Sequence, residues 1–228
     1  MIYLFCNTGY GLPFLHEFIK FSKRNHERTT VVFSAKRSKK NKNKIPWRIL
    51  RSINDQRFIL ISKITAFKMS IKYGLKFLSI ANINSKSFCS KIKNNDHGII
   101  AGFNQIFKKN TIDRFKSLVN FHPSLLPFYR GPVPSYWCLK NGEKYTGYTL
   151  HKVAEEIDKG EILFQDVIEI SKISSADILD TEIAKSAIPT FKNYLDFLVG
   201  KTKFNKKILD ASQIYHHRVN YKSFPEAI

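Results

Sequence analysis

The sequence predicts an α/β fold, a mostly parallel sheet flanked by helices with a short C-terminal extension. Three observations carry that prediction. Short apolar runs rich in β-formers recur at Ile2–Cys6, Thr29–Phe33, Lys76–Ile80 and His97–Phe103. Apolar residues at helical spacing occupy the intervals, and strands alternating with helices imply parallel crossover units. The runs end at Asn7–Gly11, 34–36, Ile80–Asn82 and Phe103–Gln105. In such a Rossmann-like sheet, ligands sit beyond these carboxyl ends.

The elements follow in order. Ile2–Cys6 suits a strand covered on both faces. Asn7-Thr8-Gly9-Tyr10-Gly11 follows as a loop, because two glycines permit close backbone approach. Leu12, Leu15, Phe18 and Ile19 then recur at helical spacing, with Pro13 tolerated in the first turn. Thr29–Phe33 is the second strand. The loop lacks a third glycine at the dinucleotide offset and no acidic residue ends the second strand, which argues against NAD.

Residues 36–51 carry Lys36, Arg37, Lys39, Lys40, Lys42, Lys44, Arg48 and Arg51, a basic run that reads as a solvated loop or a phosphate-docking patch. Residues 52–75 are ambiguous, with a possible strand at 58–62. After Lys76–Ile80, Ser85 is placed to cap a helix running to Lys93. His97–Phe103 is a buried strand. Past residue 145 come two extended stretches, Tyr145–Val153 and Glu161–Ile170, with Gly160 at the bend. A helix at Ser175–Val199 follows, with a kink expected at Pro189 and a stop at Gly200. Residues 1–200 form one domain and 201–228 a basic, irregular extension.

The 228 residues include 19 Phe and 10 Tyr, ample apolar surface to bury, so disorder is a poor reading. No apolar run reaches the roughly 18–20 residues of a membrane span, and the N-terminus does not resemble a signal peptide. Three cysteines at no metal-like spacing make disulfides and zinc unexpected and a cytoplasmic setting the default. Lys+Arg 38 against Asp+Glu 18 leaves a net charge of +20, which attracts phosphates, nucleic acid or acidic lipid.

The chemistry concentrates at 118–160. Asn120 and His122 are two apart near the end of an apolar strand, so they share a face. Pro123 and Pro127 stop the chain from continuing as sheet or helix. A polar pair on a rigid strand end beside a stiff loop is a good basis for a preorganised site. Taken alone, Asn-x-His is more often structural.

The longer string changes that balance. Asn120-Phe121-His122-Pro123-Ser124-Leu125-Leu126-Pro127, then Thr146-Gly147-x-Thr149-x-His151, then Asp158-x-Gly160 resemble, in order and spacing, the folate-dependent formyltransferase family. The resemblance implies a cosubstrate, 10-formyltetrahydrofolate, and no metal. It implies that Asn120 donates to the oxygen that becomes negative as an amine attacks the formyl carbon. It gives His122 the amine proton and has Asp158 hold His122. His151 reads as a supporting residue, and His216-His217 as surface. Gln105-Ile106-Phe107 and Glu155-Glu156-Ile157 match the family's folate-contacting segments. Tyr129-Arg130-Gly131-Pro132 resembles the branches that act on methionyl-tRNA or on nucleotide-linked amino sugars. A chain ending 28 residues after the last helix is short for the tRNA branch, which carries a further β-barrel.

By that resemblance the expected acceptor is a nucleotide-linked 4-amino (or 3-amino) deoxysugar, first of the dTDP-4-amino-4,6-dideoxyglucose type, made for surface polysaccharide; the alternatives are a methionyl-tRNA formyltransferase-like enzyme and a non-catalytic basic nucleic-acid-binding protein. Gly9, Tyr10, Gly11, Tyr129 and Arg130 would form its site, although Tyr10 could instead pack on its own helix and Arg130 tie down the proline loop. Nucleic acid is an unlikely partner on this reading, and relatives of the sugar branch suggest a homodimer.

Overall fold

A computed structural model describes residues 1–7, 9–35 and 63–210. The 36–51 basic run, the 58–62 strand, Thr8 and His216-His217 lie outside the described residues. The seven strands are β1 (Ile2–Cys6), β2 (Thr29–Ser34), β3 (Lys76–Ile80), β4 (His97–Ala101), β5 (Ser117–His122), β6 (Tyr145–Lys152) and β7 (Ile162–Glu169). They form one sheet in the order β3-β2-β1-β4-β5-β6-β7. β1 to β5 are parallel; β6 runs antiparallel to β5, and β7 antiparallel to β6. The strand order reverses between β1 and β4, the position where such sheets open a crevice.

The helices are α1 (Leu12–Asn25), α2 (63–73), α3 (Lys86–Cys89), α4 (Lys109–Ile112), α5 (Pro134–Lys140) and α6 (Ala176–Leu198). All five residues of β1 are buried, because both sheet faces are covered. On one face Leu4, Val31, Ile99 and Val119 pack with Phe14 and Phe18 of α1 and Ile183 and Phe191 of α6. Phe14 lies 5.1 Å from Phe121 and 5.2 Å from Phe191, so α1, β5 and α6 share one aromatic contact. On the other face Tyr3, Phe5, Val32, Ile100 and Leu118 pack with Phe88, Phe107 and Phe115. Burial of a Phe on this scale stabilises the fold by about 1.5–3 kcal/mol each.

Two boundaries differ from expectation by more than one residue, for local reasons. Ser85 does cap α3, accepting from Phe88 N at 3.3 Å, but the helix stops at Cys89 instead of Lys93. The Asp96 carboxylate accepts from Lys93 N at 2.9 Å and its own N–H donates to Lys93 O at 2.8 Å, closing a turn over Asn94-Asn95. β4 ends at Ala101 because Gly102 adopts φ +68, which turns the chain out of the sheet. The first residues of the extension return to the sheet. Lys207 N donates to Leu163 O at 3.2 Å and Gln165 N to Lys207 O at 2.7 Å, along the free edge of β7.

Candidate active site

The sheet register brings the expected residues together. Asn120 and His122 alternate onto one face of β5, and β6 pairs directly beside them, with Asn120 opposite His151 and His122 opposite Thr149. Asp158 comes from the loop between β6 and β7. That loop folds back on β6 because residue 160 is glycine: a Cβ there would lie 1.7 Å from Lys152 O. Asp158 itself holds φ +52, an uncommon conformation for a side-chain-bearing residue, of the kind found at functional loops.

The four side chains form a closed set. Asn120 Nδ2 is 3.2 Å from His151 Nε2 and 3.5 Å from Asp158 Oδ1. Asp158 Oδ1 is 3.5 Å from His151 Nε2, and Oδ2 is 3.6 Å from His122 Nδ1. The shortest bond to Asp158 comes from Gly131 N, at 2.8 Å. His122 Nε2 lies 2.8 Å from Tyr129 O, and His151 Nδ1 lies 2.8 Å from Lys152 O. A carbonyl oxygen can only accept, so both tautomers are fixed. His122 carries its proton on Nε2, leaving Nδ1 bare toward Asp158. His151 carries its proton on Nδ1, leaving Nε2 to accept from the Asn120 amide. His151 therefore sets which way the Asn120 carboxamide faces, a placement that sequence spacing did not show.

The electrostatics follow from burial. Burial lowers the His122 pKa below its ordinary value; Asp158 and the Tyr129 carbonyl push it back up, and His151 lowers it again. His122 therefore rests neutral with a bare nitrogen, the state a proton acceptor needs. Burial works to raise Asp158, but its contact with His151, the charge His122 gains in acid and the Gly131 N–H outweigh it and hold the carboxyl at about 2. The carboxylate stays ionised and faces the nitrogen that would gain the proton.

Residues with no role assigned from the sequence build the frame. Buried Gln165 donates to Leu126 O at 2.7 Å and to Thr149 Oγ1 at 3.1 Å. Thr149 Oγ1 donates to Ser124 O at 2.7 Å and accepts from Leu126 N at 3.0 Å. Ser124 Oγ donates to Phe128 O at 2.9 Å. These bonds clamp the proline loop, and so fix the Tyr129 carbonyl against His122. Only a run of buried polar residues on β6 and β7 could have signalled them, and pattern alone does not separate such residues from solvent-facing ones.

The other expected residues sort by position. Tyr129 Oη donates to Glu143 at 2.5 Å and accepts from Asn141 Nδ2 at 3.1 Å, while Arg130 is exposed beside Gly131. Gly9 is exposed; Gly11 is buried, where a Cβ would meet Asn7 O at 2.5 Å and Ala101 O at 2.7 Å. Tyr10 is buried and its ring packs 5.3 Å from Phe14 on its own helix. Gln105 spends its side chain on Ser34 Oγ, Ile80 O and Ile83 N, tying the β2, β3 and β4 ends together. Phe107 is core, Ile106 is exposed, and the Ile106 carbonyl accepts from Asn84 Nδ2 at 2.9 Å. Glu155, Glu156 and Ile157 are exposed. Val153, at the start of that loop, packs on the cluster that includes Phe107. The Glu156 carboxyl is lowered by Lys159 first and also feels Arg130, which places Arg130 at the rim of the same loop.

Known proteins agree with this frame. A family model described as Formyl transferase matches residues 22–192. The methionyl-tRNA formyltransferase of Pseudothermotoga lettingae is 35% identical over 119 residues, 52% of this chain and 38% of that protein. That of Ruminiclostridium cellulolyticum is 32% identical over 151 residues, 65% of this chain and 48% of that protein. The chain thus spans less than half the length of these two relatives. A sugar N-formyltransferase from Shewanella superposes with TM-score 0.60 at 19% identity, covering 99% of this chain and 83% of that one. The Symbiobacterium toebii glycinamide ribonucleotide transformylase superposes with TM-score 0.59 at 16% identity, covering 92% and 93%. With most of its length matched by the family model and the Asn120, His122 and Asp158 side chains gathered at one strand end, the chain belongs to the formyl transferase family.

Proposed function

We propose that this protein is an N-formyltransferase that moves a formyl group from 10-formyltetrahydrofolate to the amine of a nucleotide-linked amino deoxysugar. The observation that supports it best is the closed set of Asn120, His122, His151 and Asp158, with Gly131 bonded to the carboxylate. It supplies each group that acyl transfer to an amine requires. Attack on a formamide-like carbon builds negative charge on oxygen, and a fixed neutral donor there contributes about 3–4 kcal/mol. Asn120 is that donor. Its second N–H reaches Asp158 at only 3.5 Å, a weak bond that it can give up to a substrate oxygen. The attacking amine must lose a proton, and His122 accepts it. Asp158 then stabilises the imidazolium, and that proton goes to the folate nitrogen N10 as the oxyanion collapses and the formyl C–N10 bond breaks.

The folate cosubstrate supplies the formyl carbon. Ile106, Gln105 and Phe107 with Glu155, Glu156 and Ile157 would hold it, largely through backbone groups. On the acceptor side, Gly9 would offer backbone and Tyr129 ring surface, buried Gly11 would let the loop lie close on the β1 and β4 ends, and Arg130 offers a guanidinium suited to a diphosphate. Tyr10 contributes packing beneath that loop. Asp158 bonded to Gly131 links the Tyr129–Pro132 loop to the proton acceptor, so acceptor binding and chemistry share one strap.

Transfer to methionyl-tRNA is the second reading, favoured by the curated relatives at 32–35% identity. One assay separates the two. Purified protein is offered 10-formyltetrahydrofolate with dTDP-amino sugars and with methionyl-tRNA, and formylated product is detected by mass. Formylation of the tRNA at rates matching any sugar overturns the sugar reading. Absence of transfer to every amine overturns both.

A further inference from the structure

Helix α2 is apolar on its outward side. Its inward side is ordinary: Ala66 is core, Met69 and Tyr73 pack on the same cluster, and Ser70 Oγ accepts from Phe77 N at 2.9 Å. Opposite them, at helical spacing, Ile64 is 47% exposed, Phe67 66% and Ile71 70%. A crossover helix at a sheet edge normally shows water a polar face, and among the described residues nothing covers these three large apolar residues in one stripe. Lys63, Lys68 and Lys72 are exposed on and beside the stripe. The site chemistry lies elsewhere, since α2 precedes the edge strand β3, four strands from β5.

We propose that this face of α2 is a docking surface for an anionic lipid bilayer. Charge selects that occupant. The chain carries +20, and a second copy would set the lysines of α2 against themselves. An anionic bilayer satisfies both features at once, with headgroup phosphates for the lysines and acyl chains for Ile64, Phe67 and Ile71. RNA would satisfy the lysines, but Ile64 and Ile71 offer no ring for a base to stack on. The helix would lie in the interface plane and hold the enzyme at the membrane surface without crossing it. Among the described residues no helix is long and apolar enough to span one.

The test is co-sedimentation of the full chain with phosphatidylcholine vesicles, with and without phosphatidylglycerol. The wild type binds the anionic vesicles and binds plain phosphatidylcholine weakly. Phe67→Ser with Ile71→Ser keeps the charge and lowers anionic-vesicle affinity by roughly tenfold or more. Lys63→Gln, Lys68→Gln and Lys72→Gln together lower it by on the order of a hundredfold. Both variants keep the wild-type circular dichroism and formyl-transfer rate, because the substituted residues are exposed and remote from the site. Unchanged vesicle binding by the double serine variant overturns the proposal. It also fails if the wild type ignores vesicles while those serines dissolve a dimer, or if they weaken tRNA binding and leave vesicle binding intact.

Discussion

Asp158→Asn isolates the electrostatic part of the site. The substitution keeps the shape, and the Asn carbonyl can still accept from Gly131 N, so the loop stays tied. What disappears is a charge 3.6 Å from His122 Nδ1. At an effective dielectric near 20 that charge stabilises the imidazolium by about 4–5 kcal/mol, an upper figure before water screening. Losing half to two-thirds of it lowers kcat by roughly 30–300-fold. The pH profile gives a second, signed readout. Burial already lowers His122 below 6.5, against the pull of Asp158. Activity needs neutral His122, so the wild-type rate rises as pH climbs through that lowered pKa and then levels. Without Asp158 the imidazole loses its proton still more easily, so the acid limb moves to lower pH while the plateau falls. Single-turnover formyl transfer measured across pH checks both. A plateau within about threefold of wild type, or an acid limb shifted upward, refutes the assignment.

Other outcomes follow from the same geometry. His151→Leu removes the acceptor that orients Asn120, so kcat should fall by roughly 10–100-fold with KM for the amine nearly unchanged, and a KM-led loss would point to a binding role instead. Gly160→Ala sets a methyl against the Lys152 carbonyl, and chemical denaturation should show a loss of about 2 kcal/mol or more together with weakened activity. Stability should fall on acidification in two stages. Neutral His122 contributes stability that is present above 6.5 and declines below it, and Asp158 contributes about 2 kcal/mol that is present above 3.8 and lost as pH approaches about 2. In Asp158→Asn the lower stage should shrink, leaving the part that Glu161 and Glu156 contribute through their lysine partners. Arg130→Ala should raise KM for a dTDP-amino sugar with a smaller effect on folate affinity, and an unchanged KM would remove Arg130 from the acceptor site.

Sequence by itself determined the strands and the long helices, and it pointed to residues 118–160 for the proposed chemistry. Apolar runs of five or six residues between helix-period stretches leave few alternatives to a parallel sheet, and Asn-x-His at the end of β5 puts two side chains on one face whatever the rest does. It could not determine what stands beside them. His151 is 31 positions from Asn120 along the chain but directly opposite it across the β5–β6 pair, and that pairing depends on antiparallel register. Asp158 reaches the same point only because Gly160 lets its loop lie on Lys152. Tyr10 shows the converse: a flat ring in a glycine loop looks available to a ligand, yet the packing of α1 under β1 and β4 turns it onto Phe14. Local pattern decides which way a side chain faces along its own strand or helix. Which groups share a cavity, which tautomer a histidine holds and which carboxylate stays charged depend on distances across the sheet, and only the tertiary structure decides those.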